Sequence, residues 1–224
     1  YRTRCSALIK TTNENILIDT SPDLRQQLLR HKIKKINKVL YSHMHGDQTH
    51  GINDLRYFYL KNRKPIPVYA NKNTSKFLLN SFTYCFKKTS NFYPPIMSLK
   101  KLKKKHNFLK NKVSIKSFEV DHGSIKSVCY IVNNKLAYAS DVSFINKKNY
   151  SNISNLKYFV IDCLREESHP SHYNLNEILK IIKEIKPKYT ILTNLHSSLD
   201  YDKLKKKLPK YVYPAYDGMK LVIN

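Results

Sequence analysis

The chain has 224 residues, a formal charge of +25 from 41 Lys and Arg against 16 Asp and Glu, and an apolar share of 41%. That length and apolar content suffice to bury a core, which argues against a disordered chain, and no apolar run approaches the roughly 18 residues of a membrane helix. Of the 41 basic residues 34 are Lys and 7 are Arg, with only 4 Gly; a surface selected for phosphate recognition keeps the Arg fork, so the excess reads as compositional drift.

Apolar runs rich in β-branched residues mark strands at Ser6 to Lys10, Ile16 to Asp19, Val39 to Ser42 and Ile66 to Tyr69, then Val113 to Glu119, Ser127 to Val132 and Leu136 to Ala139. Further strands are expected at Tyr158 to Asp162, Tyr189 to Leu192 and Met219 to Ile223. Helices are expected at Ser21 to Lys32, Gln48 to Tyr59, Ser75 to Lys87, Asn174 to Lys186 and Tyr201 to Leu208. The fourth is the clearest, with Leu175, Ile178, Leu179, Ile182 and Ile185 forming one stripe and Pro187 closing it. Strands meander and later alternate with helices, the pattern of an α/β sandwich of two mixed sheets with outer helices. The segment 87–112, rich in Lys and Asn, reads as a basic excursion or lid with weak structure of its own. The whole, residues 1–224, is expected to form one domain.

Cys5, Cys85, Cys129 and Cys163 are scattered without a CxxC pair, which suits buried thiols in a reducing, cytoplasmic compartment. No signal peptide is visible. The chain enters a strand pattern directly at Tyr1, so an N-terminal strand is expected to be missing.

Three of the nine His fall within eight residues, in Ser42-His43-Met44-His45-Gly46-Asp47-Gln48-Thr49-His50-Gly51. The cluster follows a strand, where α/β ligand sites form. In an extended loop His43 and His45 project to one side, and Asp47 adds a carboxylate. Imidazoles and carboxylates without thiolate suit Zn²⁺, with Mn²⁺ or Fe²⁺ as alternatives. Candidate distant partners also follow strands: His122 in Asp121-His122-Gly123, Asp141 in Tyr138-Ala139-Ser140-Asp141, and His196 in Thr193-Asn194-Leu195-His196.

This order of residues, HxHxD followed by a lone His, a lone Asp and a late His, resembles the metallo-β-lactamase superfamily over nearly the whole chain. Leu17-Ile18-Asp19-Thr20, His50-Gly51-Ile52-Asn53-Asp54-Leu55-Arg56, His169-Pro170-Ser171-His172 and Ala215-Tyr216-Asp217-Gly218-Met219 resemble the branch of the cyclic-phosphate phosphodiesterase of phosphonate metabolism, a neighbour of the tRNA 3′-end endonucleases. The resemblance implies an αββα sandwich and a metal-dependent hydrolase. It implies that His43, His45 and His122 hold a first metal, that Asp141 bridges, and that Asp47 serves the second metal and orients or deprotonates water. It implies further that His172 protonates the leaving oxygen or steadies the phosphate, with His169 as the fallback, and that Asp19 supports a ligand imidazole. Asp217 and Arg56 are candidates for similar support.

The chain departs from the family pattern at two second-metal positions, where Gln48 and Asn194 stand in place of His. One metal or two is therefore open, with a vacant second site set against one rearranged around His196 or, less favoured, His50. The expected substrate is a small cyclic phosphodiester. Alternatives are tRNA or RNA 3′ processing, thioester or lactone hydrolysis, and a non-catalytic metal-binding homologue. Nucleic acid is not favoured as a partner, because the tRNA endonucleases that the chain resembles use a basic arm with a glycine-rich tip, and the excursion has the charge but no glycine; no membrane partner is expected, and a homodimer stays open. His31 and His106 receive no role.

Overall fold

The computed structural model describes residues 2–88, 92–108 and 113–223. The chain divides into two compact units, Thr3–Leu102 and Lys103–Asn224, with Arg2 belonging to the second.

The first unit contains β1 (Ala7–Lys10), β2 (Asn15–Ile18), α1 (Leu24–Arg30), β3 (Lys38–Leu40), α2 (Gly46–Thr49), α3 (Arg56–Asn62), β4 (Ile66–Ala70), α4 (Lys72–Ser81), α5 (Thr83–Phe86) and β5 (Met97–Lys101). Its strands form one mixed sheet in the order β1-β2-β3-β4-β5, with β1 antiparallel to β2 and the rest parallel. Leu17, Val39, Tyr41, Ile52, Leu55, Phe58 and Val68 lie in its own buried core. The helix expected from Gln48 to Tyr59 is three pieces, α2, a 3₁₀ turn over Ile52–Leu55, and α3.

The second unit contains β6 (Lys105–Phe108), β7 (Val113–His122), β8 (Ile125–Val132), β9 (Leu136–Ala139), α6 (Tyr150–Ile153), β10 (Tyr158–Asp162), α7 (Leu175–Ile185), β11 (Tyr189–Thr193), α8 (Tyr201–Lys207) and β12 (Val212–Pro214). They build a mixed sheet of order β12-β11-β10-β9-β8-β7-β6, in which β9 to β12 run parallel and so end at the same edge. Helix α7 shows why the clearest sequence signal holds. The Asn174 side chain accepts from the Glu177 amide at 3.0 Å while Glu177 accepts from the Asn174 amide at 2.9 Å, a reciprocal cap. Ile178, Ile181, Ile182 and Ile185 are buried on one face, and Lys186 ends the helix in the left-handed region at φ 48°.

Two further expectations need correction. The excursion 87–112 is not weakly structured throughout: it carries β5, paired with β4, and β6, paired with β7. Residues 89–91 and 109–112 of it lie outside the described residues. The segment Met219 to Ile223 joins no ladder among the described residues, and the last strand is instead β12, three residues ending in Pro214. No helix among the described residues is long and apolar enough to cross a membrane.

Candidate metal centre

In the first unit, the loop carrying the three clustered histidines is tied to the end of β2. The Thr20 amide donates to the Gln48 carbonyl at 2.8 Å, its hydroxyl donates to the Thr49 carbonyl at 3.1 Å, and its own carbonyl accepts from Gly51 at 2.9 Å. Gly51 cannot be replaced freely, because a Cβ there would stand 2.0 Å from the Ser21 carbonyl oxygen. Asp19 is fully buried and its Oδ1 accepts from the Ser42 amide at 2.7 Å, while the Ser42 hydroxyl lies 3.0 Å from His43 Nδ1. The support expected from Asp19 thus runs through Ser42. The rings of buried His43 and exposed His45 meet edge to face with centroids 4.6 Å apart. Asp47 follows on the first turn of α2, its Oδ2 accepting from Gln48 Nε2 at 3.1 Å.

In the second unit the parallel strands β9, β10 and β11 deliver Asp141, Asp162 and Asn194 to one edge. His122 ends β7, and Ser143 donates to the Asp121 carbonyl at 2.8 Å, which draws the loop after β9 alongside. His122, Asp141 and His172 bring their ligand atoms within 4.8 Å of one another. Two further contacts fix their protons. His122 Nδ1 lies 2.6 Å from the Ser171 carbonyl, and His172 Nδ1 lies 2.6 Å from Asp162 Oδ2. A carbonyl and a carboxylate only accept, so each Nδ1 carries a hydrogen and each Nε2 is the atom left to face the site.

Asp162 is the residue that sequence reasoning left unassigned. It is fully buried and accepts from the Val142 amide at 2.9 Å, from His172, and from Asn194 Nδ2 at 3.3 Å. The available signal was a carboxylate ending an otherwise apolar strand, which must find donors if it is buried. Tyr173 anchors the residue after His172: its amide donates to the Val142 carbonyl at 2.8 Å and its hydroxyl accepts from the Ile145 amide at 2.8 Å. Gly123 belongs here too. At φ 57° it occupies the left-handed region, and a Cβ would approach Ser171 Cβ to 2.9 Å.

The remaining expected residues stand elsewhere. His196 is exposed and outside the group of His122, Asp141 and His172, its Nδ1 accepting from the Ser198 amide at 3.2 Å. His50 is exposed, with Nδ1 3.0 Å from the Gly46 carbonyl. The His169 ring lies 5.0 Å from that of His172; its Nδ1 accepts from the Ser171 amide at 3.3 Å. Loss of solvent, with His172 and Arg165 nearby, lowers its pKa below the ordinary histidine value.

The donor set fits a divalent ion: imidazole nitrogens with outer hydrogen-bond partners and carboxylates, without thiolate. Two mixed sheets with flanking helices and such donors at strand ends make an α/β fold that carries a candidate divalent-metal centre. Residues 14–194 match the model of the beta-lactamase superfamily domain, and the chain belongs to that superfamily, whose members are metal-dependent hydrolases. It has the metallo-β-lactamase fold.

Among known relatives, an octanoyltransferase of Porphyromonas gingivalis is 30% identical over 100% of this chain, which spans 45% of that protein's length. Among solved structures, a diphosphatase from the PhnP family is 27% identical with a TM-score of 0.89, covering 99% of this chain and 85% of the other. The short form of human tRNase Z is 16% identical with a TM-score of 0.75 over 99% and 93% of the two chains. Zn²⁺-bound PqqB from Methylobacterium extorquens is 15% identical with a TM-score of 0.75 over 99% and 88%. These last two likenesses speak for the fold alone.

Proposed function

We propose that this chain is a metal-dependent phosphodiesterase that acts on small, including cyclic, phosphodiesters. The observation that carries the reading is the group of His122, Asp141 and His172 at one sheet edge, with both histidine protons fixed on Nδ1. By the family's order of ligands, His43, His45, His122 and Asp141 would hold the first ion, and Zn²⁺, Mn²⁺ or Fe²⁺ would suit these donors. A bound divalent ion supplies Lewis acidity and brings the pKa of water towards ~7.

The chain's own groups supply the rest. Asp47 orients the attacking water and accepts its proton. The Asp162 carboxylate against His172 Nδ1 stabilises the imidazolium, which then donates from Nε2 to the leaving oxygen. The diphosphatase name of the 27% identical structure favours a phosphate-bearing substrate. Acyl transfer, suggested by the name of the Porphyromonas relative, finds little support among the buried thiols. Burial raises Cys85 to about 11 and Cys129 and Cys163 to about 12, so all three stay protonated and poorly nucleophilic near neutrality.

A substrate panel tests the reading: a cyclic nucleoside phosphodiester, bis-p-nitrophenyl phosphate, a precursor RNA with a 3′ extension, and an octanoyl thioester, each with Zn²⁺ or Mn²⁺. The two small diesters are expected to turn over fastest, and His43→Ala to reduce that turnover to background. Preference for the RNA or the thioester, or an unimpaired His43→Ala enzyme, refutes it.

A further inference from the structure

Gln48 and Asn194 stand where the family pattern has histidines of a second metal, and each points its amide at a carboxylate of its own unit. Gln48 Nε2 donates to Asp47 Oδ2 at 3.1 Å. Asn194 Nδ2 donates to Asp141 Oδ1 at 3.1 Å and to Asp162 Oδ1 at 3.3 Å. The orientation of Asn194 follows from electrostatics, since the flipped amide would set its oxygen against two carboxylates.

We propose that this chain holds one divalent ion, the Gln48 and Asn194 amides having taken over the carboxylate oxygens that would otherwise bind a second. The inference rests on the metal-centre reading above. An amide N–H cannot coordinate a cation, yet its partial positive charge answers the carboxylate in the same place, and amide oxygens are poor donors to Zn²⁺. Neither amide is free to swing away. Gln48 is fully buried, its backbone held by Thr20 and by its own bond to the His45 carbonyl at 3.1 Å. Asn194 sits at φ 57°, in the left-handed region that asparagine tolerates, between Thr193, whose carbonyl accepts from Cys163 at 2.9 Å, and His196, whose amide donates to Leu164 at 2.8 Å. The two histidines that could have rebuilt a second site are turned to local bonds, His50 to the Gly46 carbonyl and His196 to Ser198.

The test counts ions. The chain is stripped with chelator, reloaded with excess Zn²⁺, freed of unbound ion and analysed for zinc per chain by inductively coupled plasma mass spectrometry. One zinc per chain is expected. Two per chain overturns the inference and leaves the metal-centre reading standing; none overturns that reading and the inference with it. The double variant Gln48→His, Asn194→His is expected to rise to two, and a folded double variant that stays at one removes the amides as the cause. Should that variant fail to fold, the count on the native chain still decides.

Discussion

Replacing Asp162 by Asn keeps the side chain's shape and removes its charge at a fully buried carboxylate of the second unit. In the native arrangement Oδ2 accepts from Val142 at 2.9 Å and His172 at 2.6 Å, and Oδ1 accepts from Asn194 at 3.3 Å. An Asn oxygen can serve the first pair, but its amide then meets the Asn194 amide donor to donor. Two bonds change from charge-assisted to neutral, at about 1 kcal/mol each, and a third is lost for about 1 kcal/mol more, so about 3 kcal/mol of stability should disappear. Urea unfolding of the metal-stripped variant measures this directly. Loss of the carboxylate against Nδ1 should also destabilise the His172 imidazolium and lower turnover of bis-p-nitrophenyl phosphate about 10²- to 10⁴-fold, the usual worth of a general acid. A stability change below about 1 kcal/mol with unaltered turnover would refute the role given to Asp162.

Gly51→Ala would place a Cβ 2.0 Å from the Ser21 carbonyl oxygen, so a loss of about 1–3 kcal/mol or more is expected in thermal unfolding. An unchanged melting temperature would show that the loop is not clasped there. Gly123→Ala forces a side chain into φ 57° for about 1–2 kcal/mol and pushes on Ser171, so Zn²⁺ affinity should fall through His122 even where the fold survives. Thiol titration at pH 8 should label Cys5 alone in the folded chain, because Cys85, Cys129 and Cys163 are buried. Those three also make stability pH-dependent in one direction. Their folded pKa values, about 11 to 12, exceed the ordinary 9.0, so the stabilisation is full below pH 9 and is lost progressively as pH rises from there to about 12. Flat stability across that window would contradict their burial.

The strands that composition hid share one feature. β5, β6 and β12 each stand at an edge of their sheet. An edge strand has one neighbour and can carry charge, as β5 does at Lys100 and Lys101 and β6 at Lys105, so the apolar signal fades there. Central strands such as β8 and β10, buried along most of their length, were plain in the sequence. The site divides in the same way. His43, His45 and Asp47 are local in sequence and declared themselves, whereas Asp162 acts through His172, ten residues on, and through Asn194 on another strand. The small glycine complement was an unread signal. A chain of this length ordinarily has about 16 glycines; this one has 4, and Gly46, Gly51 and Gly123 lie in the loops that carry the donors. Of those that remain, Gly51 and Gly123 mark backbone that tolerates no Cβ.

On the proposed function, hydrolysis depends on an ion held by these imidazoles and carboxylates. Turnover of bis-p-nitrophenyl phosphate by the chelator-stripped chain, before and after titration with Zn²⁺ or Mn²⁺, tests that dependence most directly. No turnover is expected without metal, and recovery should level off once one equivalent is bound. Equal turnover by the metal-free and metal-loaded chains would contradict it.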